Sequence, residues 1–147
     1  MAVVNFQSVA DFEALAAGEY EAVFTIDKVA LAPKSNAPTV YVEYILEETN
    51  QKVFKPYSLQ AKALWGFKRD LTRIGADPEV MMSDEIDFSD LDNAQKSISL
   101  ICDPLRGAAC TIICDEPYWY PLNADGSQTP DSKLRTNFKE VKDPNKL

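Results

Sequence analysis

The chain has 147 residues, of which 46% are hydrophobic, and a formal net charge of −8. This size and composition suit a single globular domain over residues 1–147 and exclude the fibrous and wholly disordered classes of protein. The absence of histidine excludes imidazole general-base catalysis, Ser-His and Cys-His nucleophile pairs, and the commonest zinc ligand. We therefore expect a binding protein with no catalytic site, no metal and no other cofactor.

No apolar run approaches the roughly 20 residues that cross a bilayer, and the first 18 residues lack the basic region that opens a signal peptide. The three cysteines cannot pair completely. In a reducing compartment, buried cysteine packs as a small hydrophobe. These features predict a cytoplasmic protein that does not associate with membranes.

The first elements are a short helix and a strand. Ser8 and Asp11 form a weak capping box at the start of an apolar segment, which predicts a helix over residues 8–17 that ends at Gly18. Residues 19–31 then alternate between apolar and polar side chains, as is typical of a strand. Turn-forming residues follow at positions 32–38.

Two further strands complete a meander. In the second strand, alternation predicts four side chains on the core face: Val40, Val42, Tyr44 and Leu46. A short hairpin connection over residues 49–51 leads to the third strand, which is predicted over residues 52–59.

The apolar spacing changes after the meander. Residues at positions 63, 64, 67, 71 and 74 are apolar and follow the i, i+3, i+4 pattern, which predicts an amphipathic helix that Gly75 ends. Residues 76–92 are acidic, and we interpret them as a solvated loop with a helical turn.

The last third of the chain returns to strand character. Residues 97–102 and 108–115 are predicted as one or two strands, and residues 134–141 as another. The connection over residues 116–133 is rich in aromatic and turn-forming residues, with Asp125 and Gly126 at its tip. The tail over residues 143–147 is expected to fray.

The order of three strands, a helix and two strands predicts a mainly β fold. It is the order of an OB-fold-like five-stranded barrel with a helix between strands 3 and 4, although other small β-rich folds share it.

A basic, aromatic-rich island stands out in this acidic chain. Residues 52–73 hold six basic residues and one acid, hence a charge of +5, which favours a polyanionic partner. Four of its candidate ligand-binding residues fall together on one side of the predicted helix: Lys62, Trp65, Arg69 and Arg73. The alternatives are that the cations only solvate the helix and that Trp65 lies at the core boundary.

Aromatic residues on the second and third strands are candidates for base stacking. Tyr41 lies on the outward face of the second strand, and Lys55 and Tyr57 share a face of the third strand. Together they predict a Tyr/Lys/Tyr surface, to which Lys34 in the preceding turn is added. The alternative is that both tyrosines cover the edge of the barrel.

Three successive aromatics lie at the base of the long hairpin: Tyr118, Trp119 and Tyr120. Because neighbouring residues of a strand point to opposite sides, at least one ring should be exposed or meet a partner. Lys133 and Arg135 return on the facing limb. Aromatic rings combined with cations predict a clamp for single-stranded DNA, and the alternative is a homodimer interface.

Three stretches of the chain, ADFEALAAGEYEAVF, YSLQAKALWGFKRDLTRIGAD and RTNFKEVK, resemble a family of small phage proteins. Its members are encoded among phage replication and recombination genes, and many are regarded as single-stranded-DNA-binding proteins or as domains of unknown function. The similarity spans about residues 11–142. The resemblance implies an OB-like barrel that binds single-stranded DNA without sequence preference in DNA replication, recombination or repair, alongside other phage proteins of these processes, in the host cytoplasm.

A second hypothesis comes from the acidic balance. A barrel whose acidic face mimics nucleic acid, or docks a basic recombinase or nuclease, would need no DNA contact. Residues 84–92 are the feature that supports this alternative.

Overall fold

A computed structural model describes residues 14–145 of the protein. One sheet contains five antiparallel strands in the order β3-β2-β1-β4-β5. The strands are β1 (Gly18–Leu31), β2 (Pro38–Leu46), β3 (Lys52–Ser58), β4 (Ala109–Leu122) and β5 (Gln128–Val141). Between β3 and β4 lie a 3₁₀ turn (Ala61–Ala63), helices α1 (Leu64–Ile74), α2 (Pro78–Met81) and α3 (Leu91–Cys102), and a second 3₁₀ turn (Asp103–Leu105).

The predicted fold class is confirmed. The fold is mainly β, with a three-stranded meander, a helical connection and two further strands, of which β4 returns to pair with β1. This is the connectivity of an OB-like fold. The sheet curls until the Lys55 ammonium of β3 lies 5.7 Å from the Phe138 ring centroid of β5, but these two strands do not pair and the sheet is not closed.

The meander and α1 begin and end within two residues of the predicted positions. All four predicted core residues of β2 are buried. Gly75 ends α1 with a left-handed φ of 118°, which glycine adopts without a Cβ clash. The predicted helix over residues 8–17 lies mostly outside the described residues, and residues 14–17 are not helical.

The strand predicted over residues 97–102 is wrong, because these residues form the second half of α3. This segment also satisfies helical spacing, because Ala94, Ser97, Ile98 and Ile101 fall at i, i+3, i+4 and i+7 and all are buried. The Asp90 carboxylate accepts the Asn93 backbone N–H at 2.8 Å and begins the helix.

The 116–133 segment is also more regular than predicted. β4 continues to Leu122 and β5 begins at Gln128, with register irregularities beside the proline positions of β4. Only residues 123–127 form the turn, where the Gly126 N–H donates to the Asn123 carbonyl at 2.9 Å. The hairpin is therefore a long two-stranded ribbon.

A polar network is buried between α1 and the inner face of the sheet. The Tyr57 hydroxyl donates to Asp70 Oδ2 at 2.6 Å and lies 2.7 Å from the Tyr44 hydroxyl. Asp70 Oδ1 accepts from the Val141 N–H and from Arg69 Nε, each at 3.1 Å. One carboxylate thus joins α1 directly to β3 and β5, and the Tyr57 hydroxyl extends this network to β2.

Burial raises the pKa of the Cys102 and Cys110 thiols to about 12 and that of Cys114 to about 11, above their ordinary value of 9.0. The unfolded chain releases these protons first, so deprotonation favours unfolding. We expect the free energy of unfolding to be constant below about pH 9 and to fall as the pH rises toward about 11 to 12. Urea unfolding at pH values across this range measures the loss.

Burial also raises the pKa of the Tyr44 and Tyr57 phenols, so their deprotonation at high pH likewise favours unfolding. A second readout isolates the thiols. We expect slow reaction of the folded protein with a thiol reagent near pH 8 and rapid reaction of all three cysteines in guanidinium chloride. Equally rapid reaction of the folded protein would contradict this expectation.

Candidate nucleic-acid interface

The β4–β5 ribbon exposes three adjacent aromatic rings. Tyr118, Trp119 and Tyr120 have 47%, 43% and 53% of their surface exposed. Register places Tyr118 opposite Arg135, Trp119 opposite Leu134, and Tyr120 opposite Lys133. Directly opposed residues of an antiparallel pair share a face, so the two tyrosines and both cations lie on one face of the ribbon.

The ribbon cations are available to an external anion. Lys133 and Arg135 are exposed, and in the described part of the chain neither side chain makes a hydrogen bond or ion pair. One exposed acid, Asp131, lies two residues before Lys133 in β5, whereas Glu116 lies at the base of the ribbon and Asp125 near its tip. The Asp125 carboxylate is already used, because it accepts from the Ser127 N–H and hydroxyl.

The other face of the ribbon is apolar. Trp119 and Leu134 lie opposite each other there, and both are exposed. The ribbon therefore has two distinct faces, one suited to stacking beside phosphates and one suited to apolar contact.

A second group of side chains lies on the outer face of the meander. The Lys28 ammonium is 5.4 Å from the Tyr41 ring centroid. Phe54 on β3 is 59% exposed, and Pro56 lies directly opposite Tyr41. Lys34 is exposed in the loop between β1 and β2. OB-folds bind oligonucleotides on the face of strands 2 and 3 and with the loops between strands 1 and 2 and strands 4 and 5.

The predicted Tyr/Lys/Tyr surface is wrong. Lys55 is opposite Val42 and Tyr57 is opposite Val40, so both share the inner face with the core, whereas Tyr41 lies on the outer face. Tyr57 is only 6% exposed. Lys55 is half-buried, with its ammonium 5.7 Å from the Tyr57 ring centroid. The outward residues of β3 include Phe54 and Pro56, which were not predicted as candidates for base stacking.

The helix cations are mostly engaged within the protein. Arg69 pairs with Asp70 at 3.1 Å and with Glu140 at 3.4 Å. Arg73 pairs with Glu140 at 3.3 Å and donates to the Val141 carbonyl at 2.8 Å. These arginines fasten α1 to β5, so they have less capacity for phosphate than the ribbon cations.

Trp65 is exposed beside these arginines, so the alternative that it lies at the core boundary is wrong. Its ring centroid lies 5.2 Å from the Arg69 guanidinium, a cation–π contact. Lys62 is exposed at the start of the same helical segment. Helix α1 packs on the inner face of the sheet through Phe67, whose ring centroid is 4.9 Å from that of Tyr57. Trp65 and Lys62 are therefore separated from Tyr41 and Phe54 by the sheet itself.

Asp70 is a further residue whose role the sequence analysis missed. In the sequence, Asp70 is the single acid of the basic island. Its position in the sequence could have indicated burial, because Asp70 lies three residues after Phe67 and immediately before Leu71, within the apolar stripe of the helix. A carboxylate at such a position is buried and needs partners.

Within residues 14–145, no helix is long and apolar enough to cross a membrane. In the same range, no group of three or more cysteine or acidic side chains is arranged to hold a metal ion. No protein-family model, curated protein or solved structure matches this chain significantly.

Proposed function

We propose that this protein binds single-stranded DNA without sequence preference and is not an enzyme. The observation that carries the proposal is the pairing of Tyr118 with Arg135 and of Tyr120 with Lys133 on one exposed face of the β4–β5 ribbon. Flat rings accept any base by stacking, and adjacent cations neutralise phosphates. The combination is suited to a flexible single strand whose bases are unpaired.

The bound DNA strand continues from the β4–β5 ribbon onto the outer face of the meander. Tyr41 and Phe54 supply further rings there, with Lys28 and Lys34 as cations. This path corresponds to the general binding face of OB-folds. The resemblance to phage proteins supports a setting in DNA replication, recombination or repair, with phage proteins as partners, in the cytoplasm of the host.

The net charge of −8 limits the electrostatic part of binding. If the four cations of this path, Lys133, Arg135, Lys28 and Lys34, each neutralise one phosphate, the logarithm of the binding constant should fall with the logarithm of salt concentration with a slope of about −2.8. Stacking then supplies most of the remaining free energy. We expect moderate affinity with a shallow salt dependence.

Tryptophan fluorescence during titration with oligo-dT tests the proposal. A Trp65→Phe variant leaves Trp119 on the ribbon as the remaining tryptophan. We expect saturable quenching by the single strand, much weaker binding of duplex of equal length, and the shallow salt slope. Absence of binding in both fluorescence and a gel-shift assay would contradict the proposal, and preference for duplex would contradict the stacking mechanism.

A further inference from the structure

An apolar groove of about 400 Å³ lies between α1 and the chain that follows it. Its walls include Leu64, Phe67 and Leu71 of α1, and Met81, Ile86 and Phe88 of the following segment. Leu64, Met81, Ile86 and Phe88 are only half-buried, so the groove exposes apolar surface. Its volume falls in the range of roughly 300–1,000 Å³ that is common for ligand pockets.

The outer wall of this groove is fixed in place. The Asp87 N–H donates to the Ser97 hydroxyl at 2.8 Å, and that hydroxyl donates to the Asp87 carbonyl at 3.1 Å, which ties the wall to α3. Asp77 caps α2 by accepting the Glu79 N–H at 2.9 Å. A pre-formed wall lowers the entropic cost of binding, because these residues are already ordered before a partner arrives.

Carboxylates border the groove. Residues 77–92 contain seven acidic and no basic residues, and all seven acids are exposed. Asp84 and Glu85 lie between the lining residues Ser83 and Ile86, and Asp87 lies between Ile86 and Phe88. Hydrogen bonds from Ser89 lower the pKa of Asp87 below its ordinary value. Among the described residues that line the groove, Lys68 is the only cation.

We propose that the groove binds a basic amphipathic helix of a partner protein. Apolar side chains at i, i+3 and i+4 of that helix would enter the groove, and its lysines and arginines would face the acidic border. The acidic border repels a nucleic acid, which excludes DNA as the occupant. Met82, 72% exposed at the groove, offers a flexible thioether that adapts to different apolar side chains.

This inference does not depend on DNA binding, because the groove and the β4–β5 ribbon share no residue. Isothermal titration calorimetry with the full chain at near-physiological salt tests it. The probe is a synthetic helical peptide of leucine and lysine with all leucines on one face. A second peptide of the same length and charge carries serine in place of leucine.

We expect the leucine peptide to bind and the serine peptide to bind at least about tenfold more weakly. The Asp84→Lys/Glu85→Lys variant should weaken binding of the leucine peptide by about tenfold or more. Glu47→Lys/Glu48→Lys is the matched control, because it reverses two adjacent exposed acids in the β2–β3 turn. The control should stay within about twofold of the unmodified protein.

A Met82→Lys variant gives a separate test of the groove itself and should also weaken binding of the leucine peptide. Three results would each overturn the inference: no binding of the leucine peptide, equal binding of the serine peptide, or equal losses in the two charge-reversed pairs. Oligo-dT affinity of the Met82→Lys variant should be unchanged, so failure of the groove inference is distinguishable from failure of the DNA-binding proposal.

Discussion

Replacing both ribbon tyrosines by alanine, Tyr118→Ala/Tyr120→Ala, is expected to weaken single-stranded DNA binding by about 30-fold or more. Stacking contributes roughly 1–3 kcal/mol per base, and the two rings lie on the same face as Lys133 and Arg135. Fluorescence anisotropy of labelled oligo-dT measures the loss. Both rings are exposed, so thermal unfolding of the variant should stay close to that of the unmodified protein.

Trp65→Ala is the matched control for this experiment. Trp65 is a more exposed ring than either tyrosine and lies beside a guanidinium, but it is on α1 and its arginine is held by Asp70 and Glu140. Its removal should change affinity by less than about twofold. A larger loss for Trp65→Ala than for the tyrosine pair would place the DNA path along the helix instead of the ribbon.

The oligomeric state of the tyrosine variant separates DNA contact from the alternative dimer interface. Sedimentation should give the same mass for the variant and the unmodified protein. If the mass falls by half together with the affinity, the rings belong to a homodimer interface.

The second large effect is expected at Asp70. Asp70→Ala should lower the free energy of unfolding by about 2–4 kcal/mol, because the Tyr57 hydroxyl and the Val141 N–H lose their acceptor inside the protein. Arg69 keeps its pairing with Glu140 and part of its contact with water, which limits the loss. Urea denaturation monitored by circular dichroism measures it.

Asp70→Asn and Asp84→Ala complete this experiment. The asparagine oxygen can still accept one of the lost hydrogen bonds, so this variant should lose less stability than Asp70→Ala. Asp84 is exposed, and its replacement should change the free energy of unfolding by less than about 0.5 kcal/mol. A loss below about 1 kcal/mol for Asp70→Ala would show that the network is not a major source of stability.

Local patterns in the sequence determined most of the fold. Residues 19–31 and 40–46 alternate between apolar and polar side chains, and the spacing becomes helical after residue 63. Both patterns reflect which side chains face the core, and each can be recognised within a single segment. Gly75 and the Asp125-Gly126 turn were predictable for the same local reason. Residues 97–102 were not, because six residues with apolar side chains at several positions satisfy both periods.

The candidate stacking surface was also only partly predictable from the sequence. The clustering of Tyr118, Trp119 and Tyr120 opposite Lys133 and Arg135 follows from a hairpin whose two limbs are close in the chain. Which side chains of β3 face outward could not be predicted from the sequence, because a shift of one residue in the pairing exchanges every inward and outward side chain. Register with β2 placed Phe54 outside and Tyr57 inside.

The sequence by itself therefore determined the meander and α1, the mainly β class and the aromatic-basic hairpin, each of which depends on neighbouring residues. Tertiary structure decided which cations are available. Arg69 and Arg73 belong to the basic island in the sequence, but Glu140 and the Val141 carbonyl, about 70 residues later, engage them in the folded protein. Ion pairing across such a separation depends on how α1 packs against β5, a geometry that no local pattern encodes.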